Sequence, residues 1–205
     1  MLSYSLVIII FFSGGYDGDQ VLDTSEIWSN NQSQPHVKLP QTMWDHCVVS
    51  LNNTHALLTG GRTESGESAA AFIYSEGSGF TRITDMKRTR DNHGFLVIND
   101  NTVIVAGGRT EKGYNGYNRA TSSTEYLNLN SLTWVDGPEL PETVWPAIML
   151  GPEELGPEIG GHLLMGEGVY KLEEKGLTQT RQWTKVLDWG IRWGQASVVN
   201  QNMFC

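Results

Sequence analysis

The chain has 205 residues, with 14 Lys+Arg against 23 Asp+Glu and a formal net charge of −9. That balance argues against binding a nucleic-acid backbone, and 39% hydrophobic residues with seven Trp are too many for a disordered chain. Two Cys cannot supply a disulfide framework or a Cys-only zinc site, while 23 Gly and only 18% charged residues favour short strands joined by tight turns.

The first element is the apolar run at 5–12, Ser-Leu-Val-Ile-Ile-Ile-Phe-Phe. It is too short to span a bilayer, and residues 1–14 hold no Lys or Arg to open a secretory signal. It reads as a strand ended by Gly14 and Gly15. The compartment, cytoplasmic or secreted, stays open. So does the state of Cys47 and Cys205, whose pairing needs a Cα separation that sequence does not supply.

The diglycine recurs at Gly60 and Gly61 and at Gly107 and Gly108, at spacings of 46 and 47 residues. Three apolar residues and one small residue precede each pair. His46 and His93 each lie 14 residues before a diglycine and open a strand–turn–strand segment, with Asn52-Asn53 and Asn99-Asp100 as turns. A polar loop and a third strand follow each diglycine, at 25–28, 71–74 and 124–127. Fourth strands are expected at 36–39, 80–83 and 132–135. A degenerate fourth unit starts at Trp145, carries a Gly/Pro/Glu insertion at 151–160, and ends near Leu187. Residues 196–199 read as one more opening strand. The unit boundaries fall at about 5–42, 45–86, 92–138 and 145–188, with a terminal strand in 195–203.

Four short strands in a unit of about 47 residues, with in-register diglycines, Tyr74, Tyr126 and Tyr170, and Trp134 and Trp183, resemble the kelch-repeat β-propeller family. The resemblance implies one all-β domain of about four four-stranded blades. With the strands of a blade lettered a to d in chain order, it is either an open arc, with further blades outside this chain, or a four-bladed ring closed by the N-terminal b-c-d strands and the C-terminal a strand. The first and second units lack the closing Trp, having Val37 and Phe80 instead.

Gly at the end of an inner strand allows a positive φ or a close backbone approach, and no phosphate-binding glycine motif is present. His46 and His93 occupy equivalent positions and read as structural hydrogen-bonding groups, so no metal is expected. No catalytic residue or cofactor is assigned, because the sequence has no Gly-x-Ser-x-Gly elbow and no ligand-spaced His pair.

Strand parity puts the b–c loops and the d–a connections at one end. Arg62, Arg88, Arg90 and Arg109 are therefore expected to share a face with Tyr114 and Tyr117, residue types enriched at interfaces. This face suits an acidic segment of a protein partner. The alternative is that Arg62 and Arg109 pair with Glu64, Glu111 or Asp91 and brace the loops. The long loop 109–120 is the better candidate for binding. The resemblance implies a non-enzymatic protein-interaction module. Its alternatives are a propeller enzyme, such as a copper oxidase or a sugar isomerase, and a truncated inactive copy.

Overall fold

The computed structural model describes residues 10–29, 31–112, 118–145, 147–150, 162–165, 168–175, 180–188, 197–199 and 202–204. Every regular element among them is a strand. The first sheet comprises β1 (Ile10–Ser13), β2 (Ser25–Ser29) and β3 (Gln32–Pro35), in the order β1-β2-β3. The second contains β4 (Cys47–Asn52) and β5 (His55–Thr59), then the small hairpin β6 (Arg62–Thr63) and β7 (Gly66–Glu67), then β8 (Ala71–Ser75) and β9 (Gly79–Arg82). Its four main strands run β4-β5-β8-β9. The third repeats this plan with β10 (Gly94–Asn99), β11 (Thr102–Ala106), hairpin β12 (Arg109–Lys112) and β13 (Asn118–Ala120), β14 (Thr124–Asn128) and β15 (Thr133–Asp136). The fourth consists of β16 (Ala147–Leu150), β17 (His162–Met165), β18 (Gly168–Lys175) and β19 (Thr180–Asp188), and a last hairpin pairs β20 (Ser197–Val199) with β21 (Asn202–Phe204). All pairings are antiparallel. The chain is all-β.

The strands form where β-branched and aromatic residues alternate, and they stop where side chains capture the backbone. Asn52 Oδ1 accepts from the backbone N–H of Thr54 and His55 at 2.9 Å, Asn128 Oδ1 accepts from those of Asn130 and Ser131 at the end of β14, and Asn99 Oδ1 accepts from that of Asn101 at the end of β10. The first outer strand differs from expectation. It is Gln32–Pro35 rather than 36–39, because a tight turn pairs Ser29 with Gln32 and fixes the register. Its residues are all exposed, so no apolar pattern marks it. Pro35 is tolerated because β3 is an edge strand.

Apolar side chains fill the spaces between consecutive sheets. Trp134 on β15 packs in one cluster with Leu57 and Ala71 of the second sheet and Val103 and Leu127 of the third. Its indole N–H also donates to Thr84 O of the second unit at 2.8 Å. Trp183 and Tyr170 of the fourth sheet pack with Leu96 and Ile104 of the third. Between the first and second sheets, Phe11 and His36 pack against Tyr74 and Phe80.

A backbone clasp joins each sheet to the next. The amide N–H of the second glycine donates to the connection that leads onward: Gly15 to Met43 O, Gly61 to Arg90 O and Gly108 to Val144 O, at 2.7–2.9 Å. The connection that leads in touches the other side, where Trp44 and Arg62 exchange both backbone bonds and so do Asp91 and Arg109. The diglycine thus lies between two connections. A Cβ at Gly60 (φ +64) would stand 2.3 Å from Arg90 O, and one at Gly61 (φ +89) would stand 2.8 Å from Trp44 O. No other residue fits both the left-handed backbone and that approach.

The residue whose carbonyl closes the clasp turns its side chain into the following sheet. There it meets an inner-strand residue and that residue's neighbour across the ladder. Met43 packs with Leu58 and Phe72, which pair across β5 and β8. In the next step Arg90 takes the place of Met43, and the ladder pair is Val105 and Glu125. Arg90 is 0% exposed and donates to Gly107 O, Ser123 O, Ser123 Oγ and Glu125 Oε1 at 2.9 Å. Glu125 Oε2 accepts from the Lys87 N–H. In the third step the positions are Val144 and Val169, both buried. The corresponding positions are therefore apolar in two steps and hold an ion pair in the other.

Arg90→Met alone leaves a buried carboxylate without its cation and should cost about 3–5 kcal/mol in urea denaturation. Arg90→Met with Glu125→Phe reproduces the Met43–Phe72 slot and should recover more than half of that loss. No recovery in the double variant would contradict the equivalence of the slots.

Candidate functional site

The b–c hairpins and the d–a connections meet at one end of the sheets. Three hairpins stand there: residues 16–21 closed by the Tyr16–Val21 bridge, β6–β7, and β12–β13. β7 lies against β12. Asp91 sits at the centre of this end and is fully buried. Its Oδ1 accepts from Arg109 Nε at 2.6 Å, and its Oδ2 lies 3.7 Å from Arg62 Nε. Arg109 also reaches Asp45 at 3.1 Å, and Arg62 pairs with Glu67 at 3.5 Å. Each guanidinium lies over an indole: Arg109 at 4.6 Å from the Trp145 ring centre and Arg62 at 5.5 Å from that of Trp44. Burial pushes the Asp91 carboxyl above its ordinary value, and Arg109 opposes that shift.

Arg62 and Arg109 thus brace hairpins against connections, mainly through Asp91. Arg62 takes Glu67 rather than Glu64. The expected binding face changes accordingly. Arg90 cannot contact a partner, because its position equals that of Met43 and its side chain fills the slot of the next sheet. Arg88 is exposed on its connection. Tyr114 and Tyr117 lie outside the described residues, as do Cys205 and the side chain of Glu111.

Among the described residues of the hairpins, the exposed charged side chains are Asp17, Asp19, Glu64 and Arg119, three acids to one base. Tyr16, 61% exposed, stands beside Asp17 and donates to Gly18 O at 2.8 Å. The Asp17 carboxylate accepts the N–H groups of Asp19 and Gln20, which hold its pKa below the ordinary value. Arg119 is the exposed cation on β13. Tyr16, Trp44 and Trp145 were not picked out from sequence. The signal was present for the tryptophans, since each follows the residue whose carbonyl closes a clasp.

Behind this end stand the two histidines. His46 Nε2 is 2.8 Å from Ser13 Oγ, and His93 Nε2 is 2.8 Å from Thr59 Oγ1. Each joins a unit to the hydroxyl before the preceding diglycine. In the following step the hydroxyl position is Ala106 and the imidazole position, three residues after Val144, is Ala147. Both partners are replaced together. Cys47 Sγ donates to His93 O, and burial pushes its thiol pKa up to about 12. It is a protonated packing group rather than a nucleophile. Among the described residues no group of three His, Cys, Asp or Glu side chains could hold a metal ion. Among the described residues there is no helix long and apolar enough to cross a membrane. No protein-family model matches the chain, and no curated protein matches it.

Burial pushes the pKa of His46 down to about 4 and that of His93 to about 3, with Arg90 adding to the second. Both stay neutral in the folded chain while the unfolded chain binds protons below about pH 6.5. The stability they contribute is therefore present above pH 6.5 and is lost as pH falls toward 4 and 3. Urea midpoints at pH 7 and pH 5 should differ by the equivalent of about 4 kcal/mol, with less stability at pH 5. His93→Gln should roughly halve the difference, leaving the part of about 2 kcal/mol due to His46. Equal midpoints for the parent chain would refute the account.

Proposed function

We propose that the chain is a kelch-like propeller of four-stranded blades and a non-enzymatic protein-interaction module, which takes a polypeptide segment on its hairpin end. The observation that carries this reading is the division of labour at that end. Arg62, Asp91 and Arg109 lock the hairpin bases, while the tips leave Tyr16, Asp17, Asp19, Glu64 and Arg119 exposed. Rigid bases with exposed, unequal tips are what a binding surface needs. The charge of the segment follows from which ions remain free. Three of the four arginines expected to attract an acidic segment are occupied by carboxylates of the chain itself. The described exposed residues of the hairpins carry more acid than base, so the segment should bring Lys or Arg to meet Asp17, Asp19 and Glu64, with an apolar residue against Tyr16.

A displayed library of random peptides tests this. Binders should be enriched in Lys or Arg and weaken at least tenfold with Tyr16→Ala plus Asp17→Asn, and far less with Ser78→Glu at the opposite end. Enrichment of acidic peptides would contradict the charge argument. Binders indifferent to Tyr16 and Asp17 would contradict the surface.

A further inference from the structure

Two Asn-x-Ser/Thr triplets, Asn31-Gln32-Ser33 and Asn52-Asn53-Thr54, meet the sequence requirement for an N-linked glycan. Both lie in turns at the end of the sheets opposite the hairpins, and both asparagines are exposed. The motif joins an amide nitrogen, which takes the sugar, to a hydroxyl two residues further on. The fold treats the two triplets differently.

Asn52 ends β4, and its Oδ1 caps the turn to β5. That oxygen accepts from the N–H of Thr54 and of His55 at 2.9 Å and from the Thr54 hydroxyl at 3.1 Å. Among the described residues no hydrogen bond uses Asn52 Nδ2, so a sugar on that nitrogen breaks nothing in the turn. The Thr54 hydroxyl lies against the same amide group, so the two parts of the motif stand together. The turn itself does not require that hydroxyl. Asn99 and Asn128 cap their turns through Oδ1 as well, and the residues two positions on are Asn101 and Asn130. Asn31 is placed otherwise. Its backbone is left-handed (φ 61) in the tight turn between β2 and β3, and the Ser33 hydroxyl donates across the ladder to Glu26 Oε2 rather than to Asn31.

We propose that Asn52, and not Asn31, accepts an N-linked glycan when the chain enters a compartment that holds a lipid-linked oligosaccharide donor. Asn52 Nδ2 bonds to the reducing-end carbon of the sugar, and the bond from that carbon to the lipid pyrophosphate breaks. The amide gives up one proton, and the lipid pyrophosphate is the leaving group. The Thr54 carbonyl accepts from the Glu76 N–H beside the β8–β9 turn at 2.9 Å, so the glycan stands on a fixed corner of the second sheet. That corner is at the far end from hairpins 16–21, β6–β7 and β12–β13, and a sugar there leaves them uncovered. Neither the acceptor nor its test depends on the interaction role of the hairpins, so failure of one leaves the other standing.

The test expresses the full chain behind a cleavable secretion signal in cultured animal cells. Mass spectrometry of the whole-cell extract reads the chain before and after peptide N-glycosidase, which leaves Asp where a glycosylated Asn stood. The chain should carry one glycan, at Asn52. Asn31→Gln should leave it in place, and Thr54→Ser should keep it. Thr54→Asn, which copies Asn101 and Asn130 of the sister turns, should lose it. An unmodified chain, a glycan carried on Asn31, or a glycan that survives Thr54→Asn would overturn the assignment. Because the extract is read rather than the secreted protein, a variant that fails to fold still gives a result.

Discussion

The rest of this structure depends on the hydrogen bond from the second glycine of each diglycine to the carbonyl of the next connection. A four-stranded sheet of this size cannot bury both faces alone, so it must be held against a neighbour. The bond from Gly61 to Arg90 O does so at a point where backbone touches backbone. It commits the following side chain to the next sheet and brings the hairpin base beside the connection. Core packing, slot occupancy and the braced hairpin end all follow from that placement.

What fills the slot is free to vary as long as both partners vary together. Met43 and Phe72, Arg90 and Glu125, and Val144 and Val169 occupy corresponding places. The Ser13–His46 and Thr59–His93 pairs give way to Ala106 and Ala147 in the same manner. A buried ion pair stabilises no better than a well-packed apolar pair, but it rejects an apolar partner. Arg90 and Glu125 therefore specify which connection meets which sheet. The tips of the hairpins lie outside these constraints, and there the three loops differ in length and charge.

The repeat was legible because glycine is required at fixed points: any Cβ at Gly60 would stand 2.3 Å from Arg90 O. The strand pattern and the meeting of loops with connections were legible from the alternation of residues and from antiparallel parity. The first outer strand was not, because exposed Gln32 to Pro35 show no alternation while the buried Leu39 beyond them is apolar for a different reason, as a plug under the second sheet. Arg90 was misread for a related reason. In the run of Lys87, Arg88, Thr89 and Arg90 it reads as a solvated cation, and its partner Glu125 is 35 residues away. The clue was positional: Arg90 stands three residues before His93 as Met43 stands three before His46.

Native-state amide hydrogen exchange tests the clasp most directly. If the clasps hold the sheets together, the amides of Gly15, Gly61 and Gly108 exchange only with global unfolding, as slowly as those in β5 and β11. If these amides exchange at the rate of the hairpin tips while β5 and β11 stay protected, the diglycines are ordinary turns and the account is wrong.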